Sequence, residues 1–348
     1  MRRTSFLVAA AAATLALPLA ALPSGARTPT YSTQDAHLGS SWLVRQLTPA
    51  GYARDPKGAP SPGDTAGVVL ALAATGFGAE AQKHATDWLT KHVNLYVRDK
   101  AGKDKAGELA TLILVADAEH IDPRAFGRTN LVRRLRATQL TTGADRGLYG
   151  TQDPTYDGAY RQGLVVLALS TVKANNRAGI AWLAGQQCAD GGWSAHRDAG
   201  AACTFEDTNS TALAVEALAT IGHGVARGVA WLHGQQLSDG GWGYSVSTVQ
   251  YPTTPDPDST AVVIQALIAA GKDLTAHAWR KPGGSAFTAL DSFELGCLKP
   301  AKERGAYYYP GGIVKPNLFA TEQAVPAAAG KAFPLGPTTS VTGTPHCG

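Results

Sequence analysis

The chain has 348 residues and sets 31 lysines and arginines against 27 aspartates and glutamates, for a formal charge of +4. So slight a balance gives nucleic acid little electrostatic hold and points to no polyanionic partner. The length is within reach of one large domain with a sizeable core.

Taken in order, Arg2 and Arg3 precede an apolar run from Phe6 to about Leu22, with small residues at Ser24 and Ala26. This is the pattern of a secretory signal peptide over residues 1–26, so a secreted, extracellular protein is expected. No later apolar stretch is long enough for a membrane span. Residues 27–40 have no periodicity and read as an irregular lead-in.

Repeats begin at residue 41. Trp42-Leu43-Val44-Arg45-Gln46 and Gly51-Tyr52 lead to an apolar helix from Gly67 to Ala74. A weaker second copy starts at Trp88-Leu89 and continues into Glu108 to Ala118. A third runs from Leu135 through Gln139 and Gly147-Leu148-Tyr149 into Gln162 to Ser170. The fourth and fifth are nearly identical: Trp182 and Trp231, Trp193 and Trp242, and Thr211 and Thr260 are each 49 residues apart. Such a constant offset is a repeat period. A sixth copy spans Phe287 to Leu298, Gly305-Ala306-Tyr307 and Asn317 to Ala329. Residues 331–348 are rich in proline and glycine and read as a tail.

Each unit reads as a helix, a glycine stop, a polar loop and a second helix. The second helices are apolar on nearly every side and are therefore buried, whereas the first carry charges such as Lys83 and Arg133. The element Trp-Leu-x-x-Gln-Gln-x-x-Asp-Gly-Gly-Trp, seen from Trp182 to Trp193 and again from Trp231 to Trp242, resembles the Gln/Trp motif of the terpenoid cyclase and protein prenyltransferase superfamily. The resemblance implies an all-α fold, an α6/α6 toroid of six helical pairs over residues 41–330, with each motif glutamine stacked on the following tryptophan.

In such a toroid the residues ahead of the inner helices line a central funnel. Asp64, Tyr149, Trp193, Asp207, Asn209, Trp242, Tyr244, Tyr307 and Tyr308 are the candidates for its binding rim. Asp256-Pro257-Asp258-Ser259-Thr260-Ala261 resembles the Asp-x-Asp-Asp-Thr-Ala motif of class II terpene cyclases, in which the middle aspartate protonates an alkene. Carried over by position, Asp258 is the candidate catalytic acid with Asp256 beside it, although Ser259 stands where that motif has an aspartate. A plainer reading competes, since Asp, Asn and Ser directly before an apolar helix are preferred N-caps. That reading also covers Asp64 and Asn209.

The four cysteines, Cys188, Cys203, Cys297 and Cys347, suit two disulfides in an exported chain. Of three possible pairings, Cys188 with Cys203 staples one repeat loop and leaves Cys297 to fasten Cys347. His196 and Cys203 near Asp207 match no zinc spacing, and neither a metal nor a cofactor is expected. The leading expectation is a non-catalytic secreted toroid that binds a hydrophobic small molecule or a protein partner in its funnel. The alternative is a class II terpene cyclase-like enzyme acting through Asp258.

Overall fold

A computed structural model describes residues 33–150, 157–197, 203–246, 253–336, 338–343 and 347. The signal segment and the start of the lead-in lie outside the described residues. Helix α1 (Thr33–Val44) is followed by a two-residue hairpin, β1 (Ala53–Arg54) and β2 (Pro60–Ser61), and by α2 (Pro62–Thr75). Next come α3 (Ala79–Lys91), the short α4 (Val93–Val97), α5 (Ala106–Ala118), α6 (Leu131–Ala137), α7 (Ala159–Thr171), α8 (Arg177–Gly185), α9 (Thr208–Thr220), α10 (Ala226–Gly234) and α11 (Pro257–Ala269). A second hairpin, β3 (Arg280–Lys281) and β4 (Gly284–Ser285), precedes α12 (Ala286–Asp291) and α13 (Leu318–Ala328).

The long apolar helices form the inner wall. Each of α2, α5, α7, α9, α11 and α13 packs on the next, and α13 packs back on α2. The outer helices lie against this wall, α3 on α2, α6 on α5, α8 on α7 and α9, and α12 on α11 and α13. Because an inner helix has neighbours on both sides and behind it, its sequence shows no polar stripe.

Capping explains where the inner helices begin. Ser61, Asp207, Asp256 and Asn317 each stand in extended backbone and accept a backbone N–H three residues on, from Asp64, Ser210, Ser259 and Ala320. In α9 and α11 this bond is 2.7 Å. The capping reading of Asp64, Asn209 and Asp258 is therefore corrected: all three lie within the first turn, and the caps are two or three residues earlier.

The loops ahead of α2, α7, α9, α11 and α13 are pinned by one recurring bond. The N–H groups of Trp193 and Trp242 donate to the hydroxyls of Thr211 and Thr260 at 2.9 and 3.0 Å. Ala53 and Tyr307 do the same to Thr65 and Thr321, and Tyr149 to the amide oxygen of Gln162. The indoles of Trp193 and Trp242 then donate to the carbonyls of Leu183 and Leu232, which ties the loop to the last turn of each outer helix.

The motif glutamines serve the turns that follow their own helices. Nε2 of Gln187 donates to the Gly191 carbonyl at 3.0 Å and that of Gln236 to Gly240 at 2.9 Å, so each amide braces its own glycine turn. Gly240 has φ +97°, and a Cβ there would lie 2.5 Å from the Ser285 carbonyl carbon, so only glycine fits.

Two further differences have physical causes. Helix α1 begins inside the expected lead-in; its buried residues are Ala36, Leu38, Gly39, Ser40, Trp42 and Leu43, and the small ones near its start leave the apolar period faint there. A Cβ on Gly39 would meet Val325 at 2.5 Å, so the close packing depends on that glycine. The tail is ordered by contacts no periodicity encodes: Val341 N–H donates to the Gly76 carbonyl at 2.8 Å, and Phe77 and Val341 form a parallel bridge. Disulfides join Cys188 to Cys203 and Cys297 to Cys347.

Candidate functional site

The inner helices surround a cavity of about 270 Å³, to which α2, α5, α7, α9, α11 and α13 all contribute side chains. Tyr96 of α4 and Phe333 of the tail complete it. The lining positions recur at i and i+3, as in Gly67 and Leu70, Leu213 and Glu216, and Val262 and Gln265. This spacing selects one stripe of a helix, here the stripe that faces the ring axis.

Most of that surface is aliphatic or aromatic, with Tyr96, Tyr160 and Phe319 as ring faces. Set into it are carboxyl groups. Glu322 is 5% exposed, and its Oε2 has no hydrogen-bond partner. Burial pushes its pKa well above the usual carboxyl value, and Asp64 and Asp258 add to the shift. Glu216, 1% exposed, is raised to about 8 by burial, partly offset by the Phe333 N–H that donates to its Oε1 at 2.7 Å.

Asp258, in the first turn of α11, is not among the residues that line the cavity, but it is close enough to Glu322 and Tyr160 to raise both. Burial first, and the neighbouring Asp256 second, raise Asp258 itself to about 7, and its buried Oδ1 has no partner. Asp256 is raised less because the Ser259 N–H donates to it. The hydroxyl of Ser259 gives Asp258 no hydrogen bond. Glu216 and Asp258 are thus uncharged or near their midpoint at neutral pH, a state suited to giving up a proton or a hydrogen bond.

The remaining expected rim residues divide into two groups. Asp64 lines the cavity. Trp193, Trp242, Tyr149 and Tyr307 do not; all four are buried in the wall, where Tyr149 donates from its hydroxyl to Asn176 at 2.7 Å. Their backbones pin the loops, and so their rings point into the packing between helices rather than toward a ligand. Asp207 is the N-cap of α9, and Asn209 accepts a hydrogen bond from Thr208 at 3.3 Å in the same first turn. Tyr244 is exposed, and Tyr308 stands edge-on to Phe293 at 5.5 Å.

Sequence reasoning passed over Glu216, Gln265, Glu322 and Phe333. A signal was present for Glu216 and Gln265, each a lone polar residue past the first turn of an otherwise apolar helix, whereas Glu322 lies in a polar run with Thr321 and Gln323. Among the described residues the only group of three potential metal donors is Cys188, Cys203 and Glu206, whose thiols are taken up by the disulfide.

No family model matches the chain, and no curated protein matches it in sequence. Solved structures do. Type II terpene cyclase MstE from Scytonema superimposes at a TM-score of 0.60 with 15% identity, over 86% of this chain and 98% of that one. The chain has the terpenoid cyclase toroid fold. A variant of the same cyclase in complex with geranylgeranyl dihydroxybenzoate gives 0.58 at 14% identity, over 86% and 96%. The toroid is also similar to the unsaturated glucuronyl hydrolase of Bacillus sp. GL1, with a TM-score of 0.56, 13% identity and coverage of 85% and 95%. Two chemistries therefore occur on this fold, and the choice between them rests on the residues of the lumen.

Proposed function

We propose that the protein is a secreted toroid of six helical pairs, over residues 41–330, that holds a hydrophobic isoprenoid-like molecule in its lumen. Asp258 then protonates an alkene of that molecule, in the manner of class II terpene cyclases. The observation that carries this reading is Asp258, pushed up to about 7 by burial, with a buried, unpartnered oxygen, in the first turn of a helix that lines the apolar cavity. The structural likeness to type II terpene cyclases supports it.

The step balances without a cofactor. The carboxyl O–H breaks as a C–H bond forms at one alkene carbon, the other carbon becomes a carbocation, and a second alkene closes the ring. A proton lost from a neighbouring carbon restores the count. Tyr160, Tyr96 and Phe319 supply ring faces toward the cation, each worth about 0.5–2 kcal/mol. Asp256, fixed as the N-cap of α11, holds the start of that helix and so the position of Asp258.

The signal peptide over residues 1–26 and the tail over 331–348 complete the proposed organisation. Two disulfides fit export, and no helix among the described residues is long and apolar enough to cross a membrane.

One observation favours a second reading, a non-catalytic carrier of a hydrophobic small molecule or a protein partner. The acid of a class II cyclase needs a hydrogen-bonding neighbour to strengthen it, and Ser259 gives Asp258 none. Incubation with geraniol and farnesol, followed by gas chromatography and mass spectrometry, separates the two. A cyclised product made by the wild type and lost in Asp258→Asn supports the enzyme. A small molecule retained in native mass spectrometry and released unchanged supports the carrier.

A further inference from the structure

The charge of the lumen is one-sided. Asp64, Glu216 and Glu322 line it, and no lysine, arginine or histidine is among its described lining residues. The amine of Lys105 lies 5.6 Å from the centre of the Tyr96 ring, but it is paired with Glu108 at 2.7 Å. Two polar atoms that line the cavity have no partner in the protein, Oε2 of Glu322 and Nε2 of Gln265, in side chains 5% and 3% exposed. A buried oxygen left without a hydrogen bond is costly, so a ligand that meets it recovers that energy.

The sign of the charge selects the ligand. A diphosphate or carboxylate head would enter a low-dielectric space with no cation to meet it, and a charge buried there without a partner is costly. A neutral head gains one hydrogen bond from the protonated Glu322. An ammonium gains an ion pair and hydrogen bonds together, with aromatic faces around it.

We infer that the lumen recognises an organic cation, a protonated amine on an apolar body, with the ammonium on Glu322 and the body against Leu164, Leu213 and the ring faces. The inference rests on the lumen being the ligand site, but not on the cyclisation chemistry. At about 270 Å³ the cavity falls just below the range of about 300–1,000 Å³ for drug-sized ligands, which favours a short chain such as a geranyl group.

Binding carries a proton signature. Glu322 enters as a neutral acid; when the ammonium pairs with it, its O–H proton leaves to the buffer and the pair stays neutral. The groups that set this exchange are Asp64 on α2, Tyr96 on α4, Tyr160 on α7, Glu216 on α9, Asp256 and Asp258 on α11, with Glu108 beside Tyr96. The one cation named beside them, Lys105, is paired with Glu108, so affinity for the amine rises with pH while the amine itself remains charged.

Isothermal titration calorimetry with geranylamine, geraniol and geranic acid tests this on the full protein. Geranylamine is expected to bind at least tenfold more tightly than geraniol, with about one proton released as read from buffers of different ionisation heat. Geranic acid is expected to bind least. Glu322→Gln, checked by circular dichroism, is expected to bring the amine to the level of the alcohol and to abolish proton release. Equal binding of amine and alcohol by the wild type would overturn the inference while leaving an apolar ligand site in place. Binding of none of the three overturns both the inference and the lumen as ligand site, whereas amine binding without cyclised products removes only the enzymatic reading.

Discussion

Gly67 of α2 lies directly under the carboxyl group of Glu322 on α13, and a Cβ on Gly67 would stand 2.3 Å from Cδ of that side chain. The acid of the lumen owes its place to a missing side chain on the helix opposite. Gly67→Ala is therefore expected to lower stability by about 1–3 kcal/mol, the usual cost of overpacking, even though alanine is the better helix former. Urea denaturation of Gly67→Ala, alone and combined with Glu322→Ala, reads this directly. The double variant should recover part of the loss, and an unchanged midpoint in the single variant would show that the carboxyl lies elsewhere.

The repeats are tied by a second bond that crosses from one unit to the next. The indole of Trp231 donates to Oδ2 of Asp190 at 2.6 Å, and that of Trp182 to Oδ1 of Asp145 at 3.3 Å. Asp190→Ala leaves a mostly buried N–H facing an apolar methyl and is expected to cost about 1.5–3 kcal/mol. Asp190→Asn keeps an acceptor and should cost less. Equal thermal melting of the two variants would mean that the bond does not hold the repeats.

The N-cap assignment separates neighbouring acids. Asp256→Ala removes the acceptor of the Ser259 N–H and is expected to lower stability by about 1 kcal/mol. Asp258→Asn removes no cap and should leave the melting temperature near that of the parent. If instead Asp258→Asn melts lower than Asp256→Ala, the cap has been placed on the wrong residue.

Stability should fall as pH rises. Glu216 is raised to about 8, and Asp258 to about 7, by burial. Asp291 and Glu294, near Asp35, are raised to about 7 and about 8 for the same reason. A raised carboxyl holds its proton more tightly folded than unfolded, so its contribution is full below the unfolded pKa and is lost as pH climbs through the folded one. For Glu216 alone the loss between about pH 4.5 and 8 is of the order of 4 kcal/mol. Chemical denaturation across this window should show a steady decline, less steep in Glu216→Gln. A stability that rises from pH 5 to 8 would contradict neutral acids in the lumen.

Much of the architecture could be read from the chain because repetition magnifies weak signals. Trp182 to Trp193 and its copy 49 residues on fix one unit, and apolar helices such as Val262 to Ala270 announce burial. The site was less legible. Trp193, Trp242, Tyr149 and Tyr307 looked like rim residues because they precede inner helices, yet the bond from each backbone N–H to a Thr or Gln turns the ring into the wall. Glu216 and Glu322 carry no motif, and only the closing of the ring brings helices α9 and α13 around one cavity. Phe333 reaches that cavity because the tail crosses the helix ends, a contact set by tertiary packing alone.

Incubation of the purified protein with farnesol in D₂O, followed by mass spectrometry of the extracted products, tests the central claim most directly. Protonation of an alkene by Asp258 predicts a cyclised product that carries one solvent-derived deuterium on carbon, formed by the wild type and absent with Asp258→Asn. Recovery of farnesol alone from the wild type, or a deuterated product that persists in Asp258→Asn, would contradict Asp258 as the proton donor.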